Sequence, residues 1–206
     1  MAKETTLSRV VMIRAYFNQK AASWDETSSE RDTTKLARMA KRLDIKPGSI
    51  VLDVGTGTGV FIPFLLREIG KGGRIIALDF AEKMLRRARA KGFNGNIDYL
   101  CADVTNIPLG DEIFDIIVCY SSFPHFPDKS GALAEMSRVI KRGGRLLICH
   151  TSSRASINEI HRQIPVVESD IIPDEGEMRI ILLRAGFIEI KINDSESYLA
   201  SARKPR

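Results

Sequence analysis

The run with the most chemical potential in this sequence is Val51-Leu52-Asp53-Val54-Gly55-Thr56-Gly57-Thr58-Gly59, three glycines alternating with threonines behind an acidic residue. Glycine lets the backbone take positive φ and come close to a ligand. The free amides of a following helix N-terminus favour a negative group. A loop that leaves a buried strand and opens a helix therefore fits a nucleotide-like cofactor. The dinucleotide fingerprint spaces its glycines Gly-x-Gly-x-x-Gly. Here the spacing is Gly-x-Gly-x-Gly, and Asp53 stands two positions before the first glycine. Asp79 follows 20 residues after Gly59 at the end of another apolar run. A carboxylate is acceptor-only with two oxygens, so it can accept both hydroxyls of a ribose. Dinucleotides also have that need, so Asp79 alone does not choose the cofactor.

His125, His150 and His161 are the three histidines, and all fall in segments expected at one edge of a sheet. Histidine changes charge near neutral pH and can deprotonate a hydroxyl, a thiol or an activated carbon. His125 is the first candidate for a general base and His150 the second, with a hydrogen-bonded structural role as the competing reading of each. His150 and His161 are not on adjacent turns of one helix, and no acidic residue has ligand spacing, so no metal site is expected. Cys101, Cys119 and Cys149 are odd in number and lack CxxC spacing. They read as small buried residues in strands, not as a disulfide framework or a zinc knuckle.

The elements that must position these groups alternate. Residues 8–22 have the apolar spacing of a helix that ends at Trp24-Asp25-Glu26, and a second helix spans 32–43. Continuous apolar runs at 50–54, 74–79, 97–101, 113–120 and 145–149 read as strands covered on both faces. Helical segments at 60–69, 81–90 and 131–140 separate them, with turns at Pro47-Gly48, Gly72-Gly73 and Gly143-Gly144. Strands alternating with helices imply a parallel sheet with right-handed crossovers. The end differs. After a helix at 177–184, strands at 187–192 and 198–203 flank a turn at Asn193-Asp194-Ser195, and so short a connection demands antiparallel pairing. The expectation is an α/β Rossmann-like sandwich: a seven-stranded, mostly parallel sheet with an antiparallel C-terminal hairpin and an N-terminal helical lid. It forms one domain over 1–206, a cap at 1–45 on a core at 46–206.

The glycine segment resembles motif I of the class I S-adenosylmethionine-dependent methyltransferases, in particular the branch with the ubiquinone/menaquinone-biosynthesis enzymes. The resemblance runs from about Tyr16 to the C-terminal hairpin. It implies S-adenosylmethionine as cofactor and S-adenosylhomocysteine as product, held by Asp53, Gly55, Gly57, Gly59, Asp79, Phe80, Met84, Asp103, Val104 and Tyr120. In the family the acidic residue matched by Asp103 accepts from the adenine amino group, and the amide of the next residue, here Val104, donates to the ring. Phe80 and Met84 match apolar positions flanking the adenosine, with a core role the alternative for Met84 and a turn-capping role the alternative for Asp103. Tyr16 and Trp24 fall in the family's opening segment, which covers the cofactor and can exclude water. With Ser121, His125, His150 and His161 they are the candidates to contact the acceptor. Arg142 stands where the family's Leu-Lys-Pro-Gly-Gly turn has proline.

Composition narrows the remaining classes. At 206 residues the chain suits one domain, and its net charge of +5 permits an acidic partner without requiring one. No apolar stretch nears the roughly 18–20 residues of a membrane helix. Met1 to Thr6 lacks the apolar centre of a signal peptide, so the cytoplasm is the expected compartment. Cys119-Tyr120-Ser121-Ser122 stands at the end of the fourth strand where enzymes methylating base amines carry Asn/Asp-Pro-Pro-Tyr/Phe, so nucleic acid is not the expected acceptor. The expected partner is a small molecule, and the expected state a monomer or homodimer. RNA or protein methylation, and S-adenosylmethionine binding without transfer, are the alternatives. A nicotinamide-dependent oxidoreductase is disfavoured by the glycine spacing and the closing hairpin.

Overall fold

The computed structural model describes residues 2–27 and 32–206, with side chains described for 8–26 and 32–206. The reading of Met1 to Thr6 thus falls on side chains outside the described ones. Helices α1 (Ala2–Lys20), α2 (Trp24–Thr27) and α3 (Thr33–Arg42) precede the sheet. Asp32 caps α3 by accepting from the amides of Thr34 and Lys35, which satisfies donors the first turn leaves without partners. Then come β1 (Ile50–Val54), α4 (Ile62–Ile69), β2 (Arg74–Asp79), α5 (Glu82–Ala90), β3 (Ile97–Cys101), β4 (Phe114–Tyr120), α6 (Lys129–Val139), β5 (Ile140–His150), α7 (Arg154–Arg162), α8 (Glu175–Arg184), β6 (Ile188–Asp194) and β7 (Tyr198–Arg203).

The strands form one seven-stranded sheet in the order β3-β2-β1-β4-β5-β7-β6. The first five run parallel, and β7 enters antiparallel between β5 and β6. This is the expected Rossmann-like sandwich with its antiparallel finish. Alternation along β1 sends Leu52 and Val54 into one apolar layer and Val51 into the other. The first layer is completed by Leu133, Met136, Leu182 and Phe187 of α6, α8 and the turn after it, the second by Leu36, Met39, Ile62 and Leu65 of α3 and α4. Both faces of the central parallel strands β1, β2 and β4 are therefore largely dry, which is why they read as apolar runs, whereas the edge strand β3 is only partly buried.

The order β2-β1-β4 places a reversal of strand order at the carboxyl ends of β1 and β4, where open α/β sheets bind ligands. Asp115 fastens the opposite end: its Oδ2 accepts from the Ile50 amide at 2.8 Å and its Oδ1 pairs with Lys141 at 2.7 Å. Among the described residues no helix is long and apolar enough to cross a membrane.

Several local readings need correction. Gly143-Gly144 is not a free turn but lies inside β5, where the pairing with β4 shifts register between Phe114 and Ile116. A bulge absorbs the extra residues without ending the strand. Trp24-Asp25-Glu26 starts the separate helix α2. The last hairpin turns at 195–197, because β6 continues through Asp194. Cys119 and Cys149 are buried as expected, but Cys101 is exposed at the end of β3.

Arg138 of α6 organises the connection between β3 and β4. Its guanidinium donates to the carbonyls of Ile107 at 2.9 Å and Leu109 at 2.8 Å, to Asp111, and to both oxygens of Glu135. Lysine keeps the charge but lacks the planar fork. We expect Arg138→Lys to lower stability by about 1–3 kcal/mol, read as a reduced urea midpoint. An unchanged midpoint would show that the fork does not hold this loop.

Candidate functional site

An open cleft lies at the carboxyl ends of β1, β2 and β4. The glycine loop is its floor: Gly55, Thr56, Gly57 and Thr58 line it, joined by Asp79, Phe80 and Met84 from the β2–α5 corner. The loop is anchored by the amides of Gly55 and Thr56, which donate to the Leu78 carbonyl at 2.8 and 3.0 Å. At Gly55, with φ 71°, an added Cβ would lie 2.4 Å from the Cβ of Ser122. Ser122 in turn donates from Oγ to the Val54 carbonyl at 2.6 Å, so the loops after β1 and β4 are in contact here. Gly57, with φ 57°, has nothing within 4 Å of an added Cβ. A side chain there would enter open space instead of the core.

Two carboxylates are buried at the head of this loop. Asp79 accepts from the Gly57 amide with Oδ2 and from the Ala81 amide with Oδ1, both at 2.8 Å. Asp53 accepts from Thr56 Oγ1 at 2.6 Å. Burial pushes Asp79 up to about 6 against the lowering effect of its backbone donors. Burial also pushes Asp53 up to about 7, opposed by Thr56 and assisted by the charge of Asp79. No basic side chain of the described residues contributes to either. Asp79 lines the cleft, whereas Asp53 lies behind the loop, outside the cleft lining.

The cap closes the cleft with aromatic rings. Phe17 of α1 packs edge-on to Trp24 at 5.6 Å, Phe80 at 6.4 Å and His125 at 5.1 Å. Phe17 and Trp24 line the cleft, whereas Tyr16 packs on Phe17 from behind. Polar contacts fix this arrangement. Asn18 accepts from the Lys83 amide at 2.9 Å and donates to Glu82, and Asp25 accepts from Thr58 Oγ1 at 2.5 Å and pairs with Lys91 at 2.9 Å. Met84 both lines the cleft and packs with Ala21 and Ala81 at 1% exposure, so the cofactor and core readings describe one position.

The fourth strand delivers Tyr120, Ser121, Ser122, His125 and Phe126 to the cleft wall. Tyr120 stacks on Phe61 at 4.3 Å. Ser121 has φ 51°, a conformation that costs about 1–2 kcal/mol for a residue with a Cβ. Its Oγ lies 3.3 Å from His150 Nδ1. His150 itself is 1% exposed and does not line the cleft. Burial, then the charges of His125 and His161, push it down to about 3, so it is a neutral ring at physiological pH. His125 is on the cleft wall, held by Asp170 at 2.8 Å, and His161 lies behind it with ring centroids 4.7 Å apart.

Asp103 and Val104 stand apart from the cleft lining. Asp103 Oδ1 accepts from the amide and hydroxyl of Thr105, both at 2.8 Å, and Val104 is 8% exposed in the apolar layer. Among the described residues no three His, Cys, Asp or Glu side chains form a group able to hold a metal ion. Sequence reasoning missed Phe17, Thr56, Thr58 and Asp170. Phe17 was available from its place beside Tyr16, but nothing local marks Asp170, whose partners are distant in the chain.

The family model described as a methyltransferase domain matches residues 52–148. The chain is 31% identical over 187 residues to the ubiquinone/menaquinone biosynthesis C-methyltransferase UbiE of Vibrio vulnificus, an alignment covering 86% of this chain and 70% of that protein. It superposes on the crystal structure of an S-adenosylmethionine-dependent methyltransferase from Aquifex aeolicus with a TM-score of 0.71 and 25% identity, covering 92% of this chain and 97% of the other. A Haemonchus contortus phosphoethanolamine N-methyltransferase 2 in complex with S-adenosyl-L-methionine shares the fold at a TM-score of 0.71 and 16% identity, over 92% of this chain and 57% of that one.

The raised carboxyls make stability fall with pH. Each binds its proton more tightly in the folded chain than in the unfolded one, whose aspartates titrate near 3.9. The stabilisation is therefore complete below about pH 4 and lost as pH climbs through about 6 for Asp79 and 7 for Asp53. For Asp53 the loss is on the order of 4 kcal/mol. Asp53→Asn keeps an acceptor for Thr56 without the charge, so the gap between urea midpoints at pH 5 and pH 7.5 should narrow in this variant, leaving the part that Asp79 contributes. Parallel pH curves for wild type and variant would mean that Asp53 carries no such penalty.

Proposed function

Because the chain belongs to the class I S-adenosylmethionine-dependent methyltransferases, we propose that it methylates a small molecule seated between the cap and the loops after β4 and β5. S-adenosylmethionine supplies an activated methyl on a sulfonium, so the chain's own task is to hold, orient and exclude water. Orientation of this kind accounts for roughly 7–11 kcal/mol of barrier in favourable cases. The observation that carries the reading is Asp79, a buried carboxylate on the cleft lining beside Phe80 and Phe17 with no resident cation, backed by Asp53 buried behind the glycine loop. The cofactor is cationic at sulfur and amine, which offsets what burial of these acids costs.

In this reading Asp79 faces the ribose hydroxyls, since its two hydrogen bonds leave lone pairs to spare. Gly55, Gly57 and Gly59 with Asp53 form the cradle, Phe80 and Met84 flank the adenosine, Asp103 and Val104 take the adenine edge, and Tyr120 closes the wall. His125 is the general base, and its position on the cleft wall supports that role. His150 is a support for Ser121, not a second base, because it is buried and neutral. Trp24, Ser121 and His125 contact the acceptor. Tyr16 and His161 back Phe17 and His125. Residues 1–45 work as the cap of a single unit with 46–206. Three free cysteines are in keeping with a reducing cytoplasm.

The relatives named as C-methyltransferases of quinone biosynthesis put an activated ring carbon first among acceptors. Release of S-adenosylhomocysteine across quinols, phenols, thiols, amines, small carboxylates and bulk RNA tests this. Turnover is expected with quinols or phenols. Turnover with RNA alone would overturn the small-molecule reading. Gly57→Arg should weaken S-adenosylmethionine binding in calorimetry by more than about 100-fold, equivalent to about 3 kcal/mol, with the fold intact by circular dichroism. Undiminished binding would place the cofactor elsewhere.

A further inference from the structure

Asp170 lies in the connection between α7 and α8, outside every segment that the cleft motifs mark, and it is 7% exposed. Three elements meet on it. His125, on the turn after β4, sets Nδ1 2.8 Å from Oδ2. Arg9 of the cap helix α1 pairs with Oδ1 at 2.5 Å. His161 of α7 donates from Nδ1 to the Asp170 carbonyl. Burial raises the carboxyl, but the hydrogen bonds and charges of His125 and Arg9 outweigh it and keep the group ionised.

We infer that Asp170 is the positioning residue of this site, accepting the Nδ1 proton of His125 so that Nε2 is the basic nitrogen offered to the cleft. A neutral imidazole carries one N–H, and the hydrogen bond made by one nitrogen decides the state of the other. When His125 takes the acceptor's proton, it takes it on Nε2. The imidazolium then has N–H at both nitrogens, Asp170 stays a carboxylate, and the proton leaves to solvent from Nε2. Arg9 holds the second oxygen, so the carboxylate that aligns the base is also a fastening point of the cap. Buried, paired carboxylates orient catalytic histidines in this way in other enzymes. The inference rests on reading His125 as the base.

Long-range proton–nitrogen spectra of histidine-labelled protein, at a pH where the rings are neutral, test it directly. His125 is assigned by the signals lost in His125→Gln. In the wild-type protein it should be in the Nδ1–H form. In Asp170→Ala that form should fall to less than roughly half, since nothing then fixes the tautomer, and Asp170→Glu should restore part of it. The wild-type measurement needs no variant to fold. An Nε2–H ring in wild type, or an unchanged ring in a folded Asp170→Ala protein, would overturn the assignment of Asp170 while leaving His125 free to act as base. Full turnover by His125→Gln, with Nδ1–H present in wild type, would overturn the base reading and leave the hydrogen-bond assignment standing.

Discussion

The carboxylate of Asp79 joins two corners of the fold, the glycine loop and the start of α5. One oxygen holds the amide of Gly57 at the tip of the glycine loop, and the other holds the amide of Ala81 at the start of α5. Both bonds are made inside the protein, where a polar group without a partner is expensive. The loop cannot lift away from β2 without leaving that carboxylate unsatisfied. The shape of the cleft floor follows from this, as does the placement of Phe80 and Met84, which the same corner presents. Asp53, a short distance along the neighbouring strand, adds a second buried acid whose proton affinity is raised partly by Asp79. The floor itself presents one carboxylate, Asp79, and Asp53 lies buried behind the glycine loop.

The cap is built on the same floor. Asp25 reaches Thr58 in the glycine loop, and Asn18 reaches the first turn of α5. These contacts bring Phe17 over the cleft, where its ring meets Phe80, Trp24 and His125. Arg9 ties the start of the cap to Asp170 and thereby to His125. Cofactor floor, aromatic roof and candidate base are thus parts of one connected structure. The cap meets His125 directly through the ring of Phe17 and indirectly through the Arg9–Asp170 pair.

Much of this was legible in the residue order. The sheet follows from apolar runs that lack the period-2 alternation of a half-exposed strand, because Leu52 and Val51 are both dry on opposite faces. The antiparallel ending follows from the few residues between β6 and β7. The glycine spacing and Asp79 pointed to the cleft because these features act locally, within a strand, a loop and a corner. Gly143-Gly144 misled because glycines that often end a strand here sit in a bulge within one. Cys101 misled because β3 is an edge strand, with one side uncovered.

The histidines mark the division between the two levels. By itself the sequence determined that the chain makes a doubly covered parallel sheet with a glycine loop at its carboxyl edge, since periodicity and backbone freedom are properties of neighbouring residues. It placed His125, His150 and His161 near that edge without ranking them on physical grounds. Only the tertiary structure separated them. His150 is buried at the end of β5 and kept neutral by burial, His161 is spent on a backbone carbonyl, and His125 alone of the three lines the cleft, with a carboxylate at its back. The partner that makes this difference is 45 residues from His125 in the chain, and Arg9 is 161 residues from Asp170. Contacts at such separations come from packing α1, α7 and the loop after β4 together, and no local pattern of residue types encodes them.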